Sequence, residues 1–281
     1  MRAGELTAEP LDDDLVIEGE NLDALRALPG GHFDVVYIDP PFNTGRTQRH
    51  RAVAVAQDPA GDRTGFAGRR YSTALVSEMA YADAAHGDYL GFLSERLEQV
   101  RRVLAAHGTL YLHVDYREAH YCKVLLDRLF GREAFLNEII WAYDYGGRAT
   151  RRWPAKHDTI LVYVKDPAGY HFDGAEVDRE PYMAPGLVTP EKRARGKAPS
   201  DCWWHTIVPT NGRERTGYPS QKPEGVVRRI VAASSRPGGW CLDFFAGSGT
   251  LGAVCAQLGR RYVLVDSNPE AVAVMLRRLG G

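Results

Sequence analysis

The chain has 281 residues, 44% of them hydrophobic, and a formal net charge of −1. That is enough apolar material for one sizeable α/β domain, or a domain plus an insertion, and it removes any global electrostatic case for nucleic acid, so a basic surface must be local. Cys122, Cys202, Cys241 and Cys255 form no CxxC pair and no zinc spacing, and the sequence has no run of 18 apolar residues and no charged-then-apolar amino terminus; these features point to a reduced, intracellular, cytoplasmic protein with no metal, and argue against a membrane span or a signal peptide.

Residues 1–14 are polar and acidic and read as a loose end. Leu15 to Ile17 is a short strand, and Gly19-Glu20-Asn21 turns the chain. Asn21 can cap a helix whose Leu22, Leu25 and Leu28 fall at helical spacing, closed by Pro29-Gly30-Gly31. The next strand, Val35 to Ile38, is a buried parallel strand by composition, and it stops at Asp39-Pro40-Pro41-Phe42. Two prolines cannot donate to a ladder, and each holds the residue before it extended. The strand therefore ends in a preset loop bearing a carboxylate and a ring, where open parallel sheets gather ligand chemistry. A planar base with an exocyclic amine would find acceptors at the Asp39 carboxylate and the Pro40 carbonyl, and a stacking face at Phe42.

Residues 43–87 show no sustained period and read as a long irregular loop, in which Arg46, Arg49, Arg51, Arg63, Arg69 and Arg70 outnumber Asp58 and Asp62. Such a basic segment beside the Asp39 loop suits phosphate contact, and a solvated loop is the plain alternative. Residues 88–106 are an amphipathic helix with Leu90, Leu93, Leu97, Val100 and Leu104 inward, ended by Gly108. A strand at 109–115, a helix from Tyr116 to Phe130, and a strand pair from Glu138 to Tyr143 and Thr159 to Val164 follow. This alternation is that of a doubly wound sheet. Residues 144–220 break it: Arg148, Arg151, Arg152 and other basic residues are interleaved with Trp153, Trp203, Trp204 and Tyr218. Arginine forks and planar rings can hold phosphates and read or stack on bases, so this segment reads as an insertion that selects a DNA sequence; a surface excursion with no partner is the alternative.

Near the carboxyl end, CLDFFAGSGT (241–250) is a strand ending at Asp243, then Phe245-Ala246-Gly247-Ser248-Gly249, then a helix from Thr250. The two glycines let the backbone approach a ligand closely, and the helix amino terminus favours a carboxylate. The next strand ends at Asp266, placed to bind a ribose diol. The pattern is not GxGxxG, but with its flanking strands it points to an adenosine-containing cofactor.

DPPF after a strand resembles the catalytic motif of amino-methylating, S-adenosylmethionine-dependent DNA methyltransferases. FAGSG resembles their cofactor motif, and YPSQKPEGVVRRIVAAS (218–234) resembles the helix before it, with Lys222 and Pro223 on the matching positions. Gly19-Glu20-Asn21 falls where that family has Gly-Asp-Asn, so Glu20 is a longer acid than the pattern. The order, catalytic loop first and cofactor loop last, resembles the β class, a circular permutation of the cofactor-first layout, with likeness to type III modification enzymes; the chain is much shorter than a typical type III subunit. The resemblance implies a Rossmann-like α/β fold over 1–143 and 221–281 with an inserted recognition region at 144–220. It implies catalysis by Asp39, Pro40, Pro41 and Phe42. It implies S-adenosylmethionine bound by Glu20, Asn21, Asp39, Lys222, Pro223, Asp243, Phe245, Ala246, Gly247, Ser248, Gly249, Thr250 and Asp266. It implies double-stranded DNA held by Arg46, Arg148, Arg151, Arg152 and Trp153, with base flipping. A homodimer and a restriction subunit are open as partners, and no membrane is involved. Asp-Pro-Pro in this family usually accompanies adenine N6; cytosine N4 is the alternative, and an RNA or protein glutamine amino-methyltransferase is a more distant one.

Overall fold

The computed structural model describes residues 11–43, 46–61, 63–64, 68–83, 87–146 and 148–280, with the backbone alone at 46–55, 63, 73 and 75–83. Its elements run β1 (Leu15–Glu18), α1 (Asn21–Ala27), β2 (Phe33–Ile38), β3 (Arg46–Gln57), β4 (Arg63–Thr64), β5 (Arg70–Asp83), α2 (Tyr89–Val103), β6 (Leu104–Val114) and α3 (Ala119–Phe130). They continue with β7 (Phe135–Ala142), β8 (His157–Val164), α4 (Pro190–Arg195), β9 (Cys202–Trp204), α5 (Glu224–Ser234), β10 (Trp240–Asp243), α6 (Thr250–Leu258), β11 (Arg261–Asp266) and α7 (Pro269–Leu279).

Eight strands form one sheet in the order β1-β11-β10-β2-β6-β8-β7-β9. Only β8 runs against the others. Helices α1, α2 and α3 bury Leu25, Leu97, Val100 and Leu126 on one face, and α5, α6 and α7 bury Val227, Ile230, Val254 and Met275 on the other. Both faces are covered, which is why the central strands are continuously apolar. From β10 the chain passes through α6 to β11, on one side; from β2 it passes, by way of β3–β5 and α2, to β6 on the other. The crevice for ligands in such a sheet lies where the connections diverge, at the carboxyl ends of β10 and β2.

Three expectations change. The described residues between 46 and 83 are not irregular: the backbone of β3, β5 and β4 forms a three-stranded antiparallel sheet, paired from Arg46 opposite Asp83 to Gln57 opposite Tyr71. The alternation Ala52-Val53-Ala54-Val55-Ala56 has the period of a strand, but its apolar residues are small and the arginines around it obscure the pattern. The helix read over 88–106 stops at Val103, because Leu104 is drawn into the sheet opposite Phe33. The 144–220 boundary also shifts. Strand β8 lies inside that segment yet sits in the middle of the sheet, and β9 extends the edge beside β7. What leaves the sheet is the β7–β8 loop and the stretches on either side of β9.

One buried cation clasps the front of the sheet. Arg96 of α2 is 6% exposed. It donates to Asn21 Oδ1 at 2.7 Å and the Phe92 carbonyl at 2.9 Å, and pairs with Glu20. Asn21 in turn donates to the Phe244 carbonyl at 3.0 Å, tying the first turn to the end of β10. Arg96→Met keeps the packing but strands the buried Asn21 acceptor, so it should lower stability by about 2 kcal/mol, read as a lower urea midpoint at constant slope. An unchanged midpoint would show that Glu20 and Asn21 need no anchor.

Candidate active site

Alternation along β2 sets the geometry. Val35 and Tyr37 face the α5–α6 side of the sheet, so Asp39, two residues on, faces the same way. There its Oδ2 forms an ion pair with the Lys222 ammonium, which also lies 5.1 Å from the centre of the Phe42 ring. Asp39 Oδ1 is buried and takes no hydrogen bond among the described residues. A buried carboxylate oxygen without a donor is costly unless a ligand supplies one. Pro40 is buried, and after Phe42 the chain turns through Asn43, whose φ is +55° and whose amide donates to Glu118 at 3.2 Å.

The neighbouring strand ends on a second carboxylate. Asp243 is 4% exposed and accepts from the Phe245 amide at 2.9 Å. Burial pushes its carboxyl well above the ordinary range, and the charges of Asp39 and Asp266 add to the shift, against Lys222. The glycine loop follows. Ala246 donates to the Val265 carbonyl at 3.1 Å and Gly247 to Asp266 Oδ2 at 2.8 Å, so the loop hangs on the end of β11. Asp266 also accepts from Asn268 at 2.8 Å; burial still raises its carboxyl, outweighing these backbone donors. Ser248 is buried, with its hydroxyl 3.2 Å from that of Thr250, and Thr250 donates to the Lys222 carbonyl at 3.1 Å. Lys222 thus carries the glycine loop on its backbone and Asp39 on its side chain, and Pro223 caps α5.

The residues read as DNA contacts lie on the same edge. Strand β6 ends at Val114 opposite Thr159, and Ala142 ends β7 opposite His157, so the β7–β8 loop leaves the sheet where β6 and β2 end. Arg148, Arg151 and Arg152 are exposed on it, and Trp153 is 94% exposed. Trp204, at the end of β9, is exposed at the same edge. Arg46 opens β3, and its side chain lies outside the described residues.

The DNA methylase family profile matches residues 33–277. The chain belongs to the DNA methylase family. It is 30% identical over 269 residues to the type II methyltransferase M.HpaI of Haemophilus parainfluenzae, covering 95% of this chain and 74% of that one. It is 27% identical over 272 residues to the DNA adenine methyltransferase YhdJ of Escherichia coli K12, covering 94% and 82%. Among solved structures, the M1.HpyAVI–SAM complex superposes with a TM-score of 0.58 at 19% identity, covering 95% of this chain and 98% of that one. The PvuII DNA methyltransferase, cytosine-N4-specific, reaches 0.63 at 16%, covering 98% and 89%. At such identities the structures share the fold.

This DNA methylase uses S-adenosylmethionine, and its loop fits that cofactor. Gly247 and Gly249 have φ of +49° and +72°, and a Cβ on Gly249 would stand 2.8 Å from Met275 Cγ. The carboxyl groups of Asp39, Asp243 and Asp266 surround the loop with acceptors, which suits a sulfonium and an ammonium. Residues missed by sequence reading are Arg96 and the buried Tyr37, His113 and Asp158 behind Phe42, while Tyr218, read as a ring of the insertion, stands at the glycine loop, where a Cβ on Gly247 would meet it at 3.2 Å. Only strand alternation could have placed Tyr37 with Asp39; the others depend on contacts far apart in sequence.

Gly249→Ala should destabilise the fold by about 1–2 kcal/mol from the left-handed backbone alone, and by more through the Met275 clash. Thermal unfolding measures this, and a melting temperature equal to wild type would contradict the close approach.

Proposed function

We propose that this chain is a site-specific DNA adenine-N6 methyltransferase that works on a flipped base at Asp39-Pro40-Pro41-Phe42. The observation that carries the reading is the Asp39 carboxylate at the end of β2, one oxygen held by Lys222 and the other buried and free, beside the glycine loop. An amino group inside a duplex cannot reach such a recess, so the base must leave the stack. Asp39 Oδ1 accepts one amino hydrogen and the Pro40 carbonyl the other, while Phe42 stacks on the ring. These contacts aim the nitrogen lone pair at the cofactor side of the site. When bound, S-adenosylmethionine supplies an electrophilic sulfonium methyl group. The protein contributes position and electrostatics. Lys222 orients Asp39 through their ion pair, and the proton lost from the amine leaves through Asp39 to water.

On the cofactor side, Phe245, Ala246, Gly247, Ser248, Gly249 and Thr250 line the backbone cradle, Asp266 takes the ribose, and Asn21 with Glu20 borders the adenine. Lys222, Pro223 and Asp243 close the methionine end. Arg46, Arg148, Arg151, Arg152 and Trp153 hold double-stranded DNA, and the segments outside the sheet between 144 and 220 choose the sequence. No helix among the described residues is long and apolar enough to cross a membrane, and DNA as substrate places the work in the cytoplasm. A second copy of the chain and a restriction subunit are the candidate protein partners. Adenine is favoured over cytosine N4 by Asp at the first motif position and by the adenine specificity of YhdJ, to which the chain is 27% identical over 272 residues.

The reading is tested by methyl transfer from labelled cofactor to unmethylated genomic DNA, followed by digestion to nucleosides and mass spectrometry. N6-methyladenosine should form, and Asp39→Ala should abolish it while the protein stays folded and binds cofactor. Methylated cytosine, or near-normal turnover in the mutant, would defeat the assignment.

The carboxylates predict a pH dependence of cofactor binding. Asp266 is raised by burial in the free protein, and a cationic cofactor favours its ionised form. Affinity should therefore be full above the raised pKa and should fall as pH drops through it. S-adenosylhomocysteine, which lacks the sulfonium charge, should respond less. Titration calorimetry decides; affinity that is flat or improves on acidification would reject the role of Asp266.

A further inference from the structure

Behind Phe42 lies a polar chain that neither the cofactor loop nor the acceptor loop uses. Tyr37 on β2 is 2% exposed and its hydroxyl meets His113 Nδ1 at 2.9 Å. His113 on β6 is 0% exposed, and its Nε2 lies 3.3 Å from Asp158 Oδ2 on β8. Asp158 is 8% exposed, and its other oxygen accepts from the Tyr143 hydroxyl at 3.1 Å. Asp158 accepts from His113 Nε2–H, and Nδ1 shares the second bond with the Tyr37 hydroxyl. Every polar atom in the row then has a partner. Three buried polar side chains in line, with the half-buried Tyr143 at their end, are worth little to stability, since apolar residues of the same shape would serve as well.

Their placement is what singles them out. Tyr37 stands two residues before Asp39 on the same face of β2. The His113 ring lies 6.1 Å from the Phe42 ring, centre to centre, and meets Trp141 edge-on at 5.5 Å. The row therefore forms the back wall of the acceptor loop and ties the ends of β2, β6 and β8 together at the level where the base would stack. We propose that His113 and Asp158 are positioning residues for methyl transfer, holding Phe42 and the end of β2 in the geometry that Asp39 needs without touching base or cofactor.

This inference rests on the reading that Asp39 and Phe42 receive the base, and its test separates the two. Asp158→Asn reorders the chain with little change of shape, and Tyr37→Phe deletes one buried hydroxyl while keeping the ring. The readout is the single-turnover rate of methyl transfer to unmethylated genomic DNA at saturating cofactor and DNA, beside cofactor affinity, DNA affinity and melting temperature. In Asp158→Asn the rate should fall by about tenfold or more, as small misplacements of reacting groups do, and in Tyr37→Phe it should fall in the same direction. Both affinities should stay within about twofold, a margin far below the effect sought. A merely structural role would lower affinity and melting temperature together with the rate. That pattern, or rates within about twofold of wild type in both variants, overturns the proposal. If Asp158→Asn does not fold, Tyr37→Phe decides alone. Should Asp39→Ala be inactive while both variants run at wild-type rate, the base site stands and only the positioning role fails.

Discussion

Strands β10 and β2 come from opposite ends of the chain, yet they lie side by side in parallel, with Cys241 opposite Val35 and Leu242 opposite Val36. Parallel neighbours bring their carboxyl ends to the same edge, so Asp243 and Asp39 are delivered to one crevice. Two buried carboxylates near each other are unfavourable in a low-dielectric site, and one lysine must serve both. Lys222 does so from the turn before α5, pairing directly with Asp39 and lowering the burden on Asp243. The negative charge left over makes the crevice receptive to a cation and hostile to an anion. A sulfonium cofactor answers that charge as a nucleotide would not.

The lysine is itself held in place by a second cation. Arg278, near the end of α7, donates to the Ser248 carbonyl at 3.1 Å and the Thr250 hydroxyl at 3.2 Å, and pairs with Glu224 at the start of α5. Thr250 passes the connection to the Lys222 carbonyl. The glycine loop, the start of α5 and the acceptor loop thus form one linked unit, although they are far apart in sequence. Displacing the loop would move the backbone that carries Lys222, and with it the partner of Asp39.

What could be read from sequence was what is local. Asp39-Pro40-Pro41-Phe42 and the FAGSG loop announce themselves because proline and glycine restrict or free the backbone wherever they stand. Strands β2, β10 and β11 were legible as short apolar runs and helices α1 and α2 by their spacing, whereas α5 was read through the family resemblance and α6 from its place after the glycine loop. The β3-β5-β4 sheet was not, because the run from Ala52 to Ala56 offers only small apolar residues and the sequence around it is rich in arginine. Strand β8 was legible as a strand, but its seat between β6 and β7 was not, since only tertiary pairing decides it. Arg96, Arg278, His113 and Asp158 are common residues in ordinary helix and strand contexts; their meaning arises when α2, α7, β6 and β8 bring them to the crevice.

The single reversed strand has a consequence for specificity. Because β8 alone runs against the sheet, the β7–β8 connection returns at the edge where β2 and β6 end, and Tyr143 and Lys156 close its base through a 2.9 Å backbone bond. Lys156 adds bonds to the carbonyls of Asp144 and Gly146. The exposed arginines and Trp153 are therefore carried on a loop whose stem is part of the rigid sheet, with the same stem residue, Tyr143, reaching back to Asp158. A loop rooted in this way can vary at its tip without disturbing the crevice. Changes at its base would pass through Asp158 and His113 to Phe42. Under the proposed function, sequence choice and methyl transfer are then separable at Arg148 to Trp153, and coupled at Tyr143.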